Sequence, residues 1–499
     1  MSSYRDYVRE MRWRNPCLEA LLSFLSSVHL SPYKSTLSLI EIDTRWKRSV
    51  CETTNIQDVA LKVSSLQQRP RQDAGGMVII VEDPGAAEIE ILGSLLDIDP
   101  IFFCGHITSS YQDIEQSPSA PLLGLLPSKL MSKNYVNIHY QRVLNLGQES
   151  DFHHLPYKMA IPGNNPRTVR RLPPLSGKQV GLARTCCSAL MKELKNGAWI
   201  YLILADSTTS DIVLELKKTE PGRLPTIKTP QVPRRINPED FRELPSYSDF
   251  QPRTKYPIVG RSLREDLLAL FQEPLPGVGF DYPNILSLAY YPLQIALAEW
   301  MLYAQLMSRY VKLYEYSFEA AHTLRSESQD QVELHRWRRR SSQSLHKLRM
   351  ARLFMEHWRG REEAAPARTW DFVISDLRHV EAQIEQHARS LETLNPILTS
   401  IVQLMDSHKS ISEAADVKRL TYIAIVFIPL SFIAGLFSMG DDFLPGNSGF
   451  WVYWVTAIPI TAVVVAASSM PFIWGKLLDL MRALDGWWMR RVRERNGLP

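Results

Sequence analysis

Two adjacent aspartates, Asp441 and Asp442, closely follow an uncharged apolar run from Leu420 to Met439. Carboxylate oxygens attract a divalent cation and the water bound to it. Along the run, residues at steps of four, four, three and four fall on one stripe of a helix: Leu420, Ala424, Ile428, Ser431 and Gly435. Such a stripe either lines a pore, narrowed by bulky and widened by small residues, or packs against another helix through its small residues. Spacing alone leaves both interpretations open, and the first predicts a cation path.

The stripe lies in a segment with the dimensions of a membrane hairpin. The run Leu420–Met439 is long enough for a helix to cross a bilayer core of about 30 Å. A second uncharged run, Phe450–Trp474, is somewhat longer, and the loop between the two runs contains proline and glycine turn formers. The sequence therefore predicts transmembrane helix 1 at 420–439, an outer loop at 440–449 and transmembrane helix 2 at 450–474. A hairpin that merely anchors a soluble domain is the alternative.

Basic residues predict the orientation of this hairpin. Lys418 and Arg419 precede the first run, the tail 475–499 is rich in arginine, and the loop 440–449 has neither lysine nor arginine. Positive residues remain on the inner side of a membrane, so both termini are expected in the cytosol or matrix. Asp6, Glu10 and Glu19 are unusual in a mitochondrial presequence, which is normally poor in acidic residues. We therefore expect a multi-pass protein of the plasma membrane first and of the mitochondrial inner membrane second.

The remaining composition argues against other functions. The chain has 499 residues, a formal net charge of +4 and five cysteines without a CxxC spacing, which fits a reducing compartment and predicts no zinc site. No phosphate-binding glycine loop or nucleophile elbow occurs, so an enzyme is not expected. The basic segment Arg336–Arg361 lacks the aromatic or glycine pattern of a nucleic-acid module, so a solvated helix face is favoured over contact with lipid headgroups or nucleic acid.

Ahead of the hairpin, the sequence predicts four regions. They are a helical lead-in at 1–34, an α/β domain at 35–205, a proline-rich loop or linker at 206–262, and a helical region with a stalk at 263–419. The α/β domain rests on strand-like segments alternating with helical patterns: strands at Leu37–Ile42, Met77–Val81, Tyr135–Leu146 and Trp199–Ala205, and helices at Ala86–Leu96 and Gly181–Leu194. Asn284–Ser308 is apolar enough for a third membrane span, but a buried cytosolic helix is favoured because of its internal Pro292 and Glu299.

The stalk carries a heptad seam, which is typical of a helix in a coiled coil. Its members are Val373, Leu377, Val380, Ile384, His387, Leu391, Leu394, Leu398, Ile401 and Met405, with His387 as the polar exception. Asn395-Pro396 is predicted to kink this helix without ending it. If it is continuous from Trp370 to Met439, the helix is about 100 Å long at about 1.5 Å per residue. Such a stalk suits an oligomer whose axis follows the membrane normal.

Residues Ser412–Phe437 (SEAADVKRLTYIAIVFIPLSFIAGLF) resemble the first membrane helix of the CorA-type magnesium transporter family. The order of an α/β domain, a stalk helix, two terminal spans and a basic tail is also similar to that family. The resemblance implies a homo-pentamer in the lipid bilayer, with a pore lined by the first membrane helix and apolar constriction rings at Leu420 and Ile428. It further implies a divalent cation, with Mg2+ expected, as the transported ion and not as a cofactor.

Two departures from the family pattern leave ion selectivity and regulation open. The family signature Gly-Met-Asn reads Ser438-Met439-Gly440 here, so the predicted pore mouth consists of Ser438, Met439, Gly440, Asp441 and Asp442. The nearest match to the family's Pro-Leu-x-x-Glu-Asp segment is Asp99–Gly105 (DPIFFCG), which lacks both carboxylates. Regulatory metal ligands therefore cannot be named from the sequence.

These observations predict an α+β membrane protein with an N-terminal cytosolic α/β domain, a long stalk helix and two C-terminal transmembrane helices. The predicted function is a CorA-like divalent cation transporter or channel. The alternative is a non-conducting membrane scaffold that retains the same fold.

Overall fold

A computed structural model describes most of the chain, which forms two compact units, Met1–Asn395 and Pro396–Pro499. The described residues are 3–26, 33–44, 47–53, 55–71, 75–108, 125–152, 157–207, 211–216, 226–228, 247–249, 262–272, 284–319, 327–361, 367–438 and 450–466.

The described helices are α1 (Tyr4–Met11), α2 (Glu19–Ser26), α3 (Ile56–Gln68), α4 (Ala86–Leu95), α5 (Pro100–Ile107), α6 (Pro127–Met131), α7 (Leu263–Gln272), α8 (Ile285–Glu319), α9 (Glu327–Arg359), α10 (Ala367–Phe437) and α11 (Phe450–Ala466). The strands are β1 (Thr36–Ile42), β2 (Arg48–Thr53), β3 (Gly76–Glu82), β4 (Tyr135–Gln148), β5 (Tyr157–Ile161), β6 (Arg167–Arg171), β7 (Lys178–Glu193), β8 (Trp199–Ala205), β9 (Asp211–Leu216) and β10 (Thr226–Lys228).

Local sequence signals determine where several helices begin. Ser3 and Asp6 form a capping box at the start of α1, in which each side chain accepts from the other residue's backbone N–H. Asn55 caps α3 with its side-chain oxygen. Helices α1 and α2 lie in the predicted helical lead-in at 1–34, and α4 lies at the predicted Ala86–Leu96.

The strands form one ten-stranded sheet in the order β10-β9-β5-β6-β7-β8-β3-β1-β2, with β4 paired to β7 off this path. Among the described strands, β3 and β8 make the parallel pair, while the other neighbours are antiparallel. The N-terminal unit is therefore an α/β sheet domain whose sheet is mostly antiparallel. Helices α1 to α5 cover one face of its β1-β3-β8 part, where Leu39, Ile79 and Leu202 are fully buried. On the opposite face, Tyr201 contacts Phe271 of α7.

The prediction of a helix at Gly181–Leu194 is wrong, because this segment up to Glu193 belongs to strand β7. Strand β7 pairs with β4 on one side and with β6 and then β8 on the other. Its middle residues Cys186, Cys187 and Ala189 are fully buried, so the strand shows no alternation of apolar and polar residues. A continuous apolar run of this kind does not distinguish a central strand from a buried helix.

The proline-rich region at 206–262 also contains sheet structure that the sequence did not predict. Strand β9 pairs with β5 through Met159 and Leu214, and the short β10 extends the sheet beyond β9. Apolar side chains alternate along β9, and Ile212 and Leu214 are buried. The prolines that follow β9, from Pro221 onward, concealed this pattern. Much of the rest of 206–262 lies outside the described residues.

Helix α8 is the apolar helix for which a third membrane span was the alternative. It packs on β4 and β7 of the sheet. It is long and apolar enough to cross a bilayer, but most of its apolar stretch is buried inside the protein. Tyr291 near its start contacts Phe271 edge-on. This burial agrees with the interpretation of α8 as a core helix.

A buried polar network links α5, β6 and β8. Arg167 donates from Nε and Nη2 to the Asp206 carboxylate at 2.9 and 2.7 Å, and from Nη1 and Nη2 to the carbonyls of Ile107 and His106. Asp206 also accepts from the backbone N–H of Cys186 at 2.7 Å. Burial lowers the pKa of His106 to about 4, so its imidazole is neutral at neutral pH. The network therefore holds one paired positive and one paired negative charge in the core.

Lys347 on α9 gives the N-terminal unit a predicted pH dependence. Burial, followed by the charge of Arg184, lowers the pKa of Lys347 to about 7, whereas an unfolded lysine titrates near about 10.4. Below about pH 7 Lys347 is charged in both the folded and the unfolded state, so burying the charge lowers the free energy of unfolding by its full cost. As the pH rises from about 7 to about 10, the folded lysine loses its proton first, and this cost disappears. We expect Lys347→Met to raise the melting temperature below pH 7 by a few degrees and to flatten its rise above pH 7.

Thermal unfolding of the purified protein, followed by intrinsic fluorescence from pH 6 to pH 9, measures this effect. The control is Lys409→Met, which removes an exposed lysine of α10. A Lys347→Met variant whose melting temperature changes with pH as steeply as the wild type would contradict the assignment.

Candidate ion-conducting helix and its stalk

Helix α10 carries both the stalk and the predicted first membrane span. The structure shows it as one helix from Ala367 to Phe437, with Pro396 and Pro429 inside it. The prediction that Asn395-Pro396 does not end the stalk is therefore confirmed.

The first part of the heptad seam is buried within the same chain. In the N-terminal unit, the seam members with nearly full burial are Val373, Leu377, Val380, Ile384, Leu391 and Leu394. At the start of the seam, Trp370 contacts Tyr290 of α8 edge-on. Helix α9 runs beside the seam and contributes the buried Phe354 and Met355. A heptad stripe shows that a helix has a partner but not whether that partner belongs to the same chain.

Ion pairs join α9 to α10 along the same stretch. Glu381 accepts from Arg349 Nε at 2.7 Å and from Arg352 Nε at 3.1 Å. Arg378 of α10 reciprocates by donating to Glu356 of α9 at 2.8 Å. The sequence predicted a solvated face for the basic segment Arg336–Arg361. The structure corrects this prediction, because several of its arginines form ion pairs that join α9 to the stalk.

In the second unit, α10 and α11 contact each other near the predicted outer loop. Phe437 meets Tyr453 edge-on, with 6.2 Å between ring centroids. On the same two helices, Ile433 is 3% exposed and Ala457 is fully buried. Ile433 and Phe437 lie one turn apart and mark the face of α10 that packs against α11. The predicted second span is described as far as Ala466.

The predicted pore stripe lies on the opposite face of α10. Leu420 and Ile428 are each 67% exposed, and Ser431 is also exposed, while Ala424 is half-buried. A Cβ atom placed on Gly435 would have nothing within 4 Å. Because successive residues of a helix are rotated by about 100° around its axis, the mean direction of the five stripe residues is about 180° from that of Ile433. The five stripe residues therefore share one continuous face that the hairpin leaves uncovered.

Comparison with known proteins bears on this C-terminal region. Residues 364–474 match the family described as CorA-like Mg2+ transporter protein. The C-terminal segment is therefore similar to the CorA-like family. The matched residues include α10, α11 and the loop between them, so this CorA-like segment contains every predicted pore residue.

Two solved structures are also similar to the chain. One is the complete structure of the CorA magnesium transporter from Methanocaldococcus jannaschii, with 12% identity, a TM-score of 0.35 and coverage of 86% of this chain and 96% of that chain. The other is the structure of the full-length CmaX protein, with 12% identity, a TM-score of 0.37 and coverage of 88% of this chain and 99% of that chain. No curated protein matches the chain.

The predicted mouth of the CorA-like segment is described only at its first residue. Ser438 is exposed, and its N–H donates to the carbonyl of Ala434 at 3.0 Å. Met439, Gly440, Asp441 and Asp442 lie outside the described residues. Their role at a pore mouth therefore remains a prediction.

The segment Asp99–Gly105, which replaces the family's acidic motif, is a core element. Asp99 caps α5 by accepting from Ile101 N–H at 3.0 Å and also pairs with Lys133 at 2.8 Å. Phe102 and Phe103 are fully buried. Within the described part of the chain, no three or more histidine, cysteine, aspartate or glutamate side chains gather as a metal site would require.

Proposed function

We propose that this protein transports a divalent cation, with Mg2+ as the expected ion, through a pore lined by α10. The single observation that carries the proposal is the family match over 364–474, which covers both apolar helices and all the predicted pore residues. Magnesium uptake by the purified protein in liposomes tests the proposal, and uptake no faster than in protein-free liposomes would contradict it.

The side chains of the stripe suit such a path. Leu420 and Ile428 are exposed apolar residues two turns apart, and rings of such residues gate ion flow by excluding water. Ser431 supplies a hydroxyl oxygen, and Gly435 leaves room for close approach of neighbouring helices. Because Mg2+ gives up its bound water reluctantly, a pore for the hydrated ion does not require a cage of carboxylates along the helix.

The proposed assembly is a homo-pentamer in which each chain contributes one α10. Its support comes from the family resemblance and from the uncovered stripe. The seam from Val373 to Leu394 does not support it, because these residues are already buried within one chain. The neck of α10 adds further exposed apolar residues, Leu404, Ile411 and Val417. The mass of the detergent-solubilised protein by light scattering, corrected for bound detergent, checks the proposal of five chains.

The proposed topology places both termini on the cytosolic side of the plasma membrane and only the loop 440–449 outside. It rests on the basic residues at Lys418 and Arg419 and in the tail, and on their absence from the loop. Single cysteines, introduced one at a time and labelled by a reagent added outside intact cells, check this arrangement. Only cysteines in the loop 440–449 should be labelled.

Replacing both Asp441 and Asp442 by asparagine is expected to reduce cation flux. In a pentamer the change removes about ten negative charges at the mouth, and such rings concentrate cations over a distance of about 8 Å at physiological salt. The loss should therefore be about threefold to tenfold at low ionic strength and smaller at high ionic strength. Flux into liposomes at two salt concentrations measures it.

The control for the loop is Asp406→Asn with Asp416→Asn. It removes two acidic residues from the α10 neck, on the other side of the first span. If the loop variant keeps wild-type flux at low salt, the loop is only a linker and contributes no field at the mouth.

A further inference from the structure

A group of arginines from two elements forms an unusual charged surface on the N-terminal unit. Arg170 comes from β6, and Arg336, Arg339 and Arg340 come from the first half of α9. We call these four residues the arginine cluster. Glu333 pairs with Arg336 and lies 3.5 Å from Nη2 of Arg340. Within the described residues, Arg170 and Arg339 form no ion pair.

The sheet register brings the members of the cluster together. Arg170 pairs with Leu182 of β7, so its side chain lies on the same face as Leu182 and as Arg184, two residues further along β7. Nη2 of Arg184 donates to Oε1 of Gln343 on α9 at 3.0 Å. This bond places α9 across that face of the sheet. Arg339 and Arg340 lie one turn before Gln343 on the same helix.

Arg340 is the most enclosed member of the cluster. Its side chain is 12% exposed, and its guanidinium lies over the fully buried ring of Trp337, 5.1 Å from the ring centroid. Its Nη1 atom is buried and has no hydrogen-bond partner. A buried donor without an acceptor is unfavourable, so this guanidinium is held in place with one hydrogen-bonding position unused.

The charge of the cluster is also unbalanced, since among the side chains that the structure describes Glu333 is the carboxylate that pairs within this set of four guanidinium groups. Partial desolvation and then the charges of Arg340, Arg336 and Arg339 lower the pKa of Arg170, as expected for a guanidinium close to other positive groups. Arginines tolerate such proximity when an anion lies between them. Their planar forks match the oxygens of a phosphate group through paired hydrogen bonds.

We propose that the arginine cluster binds a phosphate group through Arg340 Nη1 and the exposed guanidiniums of Arg170 and Arg339. A phosphate monoester carries a charge of about −1.5 to −2 at neutral pH, which would offset most of the excess positive charge. The phosphate can come from a soluble phosphate compound or from the headgroup of an anionic lipid. The site is independent of the proposed pore, so failure of one does not imply failure of the other.

Calorimetric titration of inorganic pyrophosphate into the full-length protein in phosphatidylcholine nanodiscs tests the proposal. Arg170→Gln with Arg339→Gln is the test variant, because both side chains are exposed and neither supports the core. Arg14→Gln with Arg71→Gln is the matched control, since it removes two exposed arginines that do not belong to the cluster. We expect the Kd to rise by about tenfold or more in the test variant and to stay within about twofold in the control, because each lost charge-assisted hydrogen bond weakens binding.

A second set of nanodiscs, containing phosphatidic acid, identifies the source of the phosphate. If the lipid headgroup occupies the site, pyrophosphate binding to the wild type weakens in these nanodiscs. If a soluble phosphate compound is the ligand, the wild-type affinity is unchanged. The proposal is overturned if pyrophosphate does not bind in either membrane, or if the wild type, the test variant and the control bind it equally.

Discussion

Replacing Ile428 by lysine is expected to reduce divalent cation flux by at least about tenfold. Ile428 lies on the face of α10 that the hairpin leaves uncovered, so the proposed pore would acquire a ring of positive charges at a constriction. A lysine ammonium and a divalent cation about 6 Å apart repel each other by about 5 kcal/mol at an effective dielectric constant of about 20. Each 1.4 kcal/mol corresponds to about a factor of ten in rate, so even one such repulsion is enough. The measurement is magnesium uptake into liposomes at matched protein content.

Ile428→Gln is the control for this experiment, because it makes the same position polar without adding charge. We expect it to keep or increase flux, since it weakens an apolar barrier to water. Both variants must elute as the wild-type oligomer before they are compared. Equal flux in the lysine variant and the wild type would show that this stripe does not face the ion path.

Replacing Arg167 by methionine is expected to destabilise the N-terminal unit by about 3–5 kcal/mol, because it leaves the buried Asp206 carboxylate without its cation. Arg167 donates both to that carboxylate and to the carbonyls of His106 and Ile107. Without the guanidinium, the Asp206 carboxylate and the carbonyls of His106 and Ile107 would each lose a hydrogen-bond donor while remaining in the core. The measurement is the free energy of unfolding of the N-terminal unit in the full-length protein, followed by urea denaturation.

The matched control is Arg170→Met, three residues later on the same strand. Arg170 is exposed, so its replacement should change the free energy of unfolding by less than about 1 kcal/mol. If Arg167→Met is no more destabilising than Arg170→Met, the buried network does not contribute to stability as described.

The sequence predicted strands that are rich in β-branched or aromatic residues, and it missed others for different reasons. Four predicted strands correspond to β1, β3, β4 and β8. Strand β7 was missed because neighbours on both sides bury its small residues. Strand β9 was missed because it lies next to a proline-rich stretch that begins at Pro221. In both cases the deciding information is the pairing partner, which lies far away in the sequence.

The stalk shows a different limit of prediction. The heptad seam correctly located the buried face of α10, since Val373, Ile384 and Leu391 are almost fully buried. It could not identify the partner, which over this stretch lies in the same chain and includes α9. The arginine cluster could not be predicted from the sequence either, because the register of β6 on β7 is what brings Arg170 to the face of the sheet that α9 crosses. The stripe on α10 was predictable because a single helix determines which residues share a face.

The most direct test of the central claim is magnesium uptake by the purified full-length protein in liposomes that contain a magnesium-sensitive dye. The account predicts uptake clearly faster than in protein-free liposomes, together with slow uptake by the Ile428→Lys variant of the same oligomeric state. If the wild-type oligomer is reconstituted intact and takes up magnesium and other divalent cations no faster than empty liposomes, the transporter proposal is contradicted. The protein would then be a membrane scaffold that does not conduct.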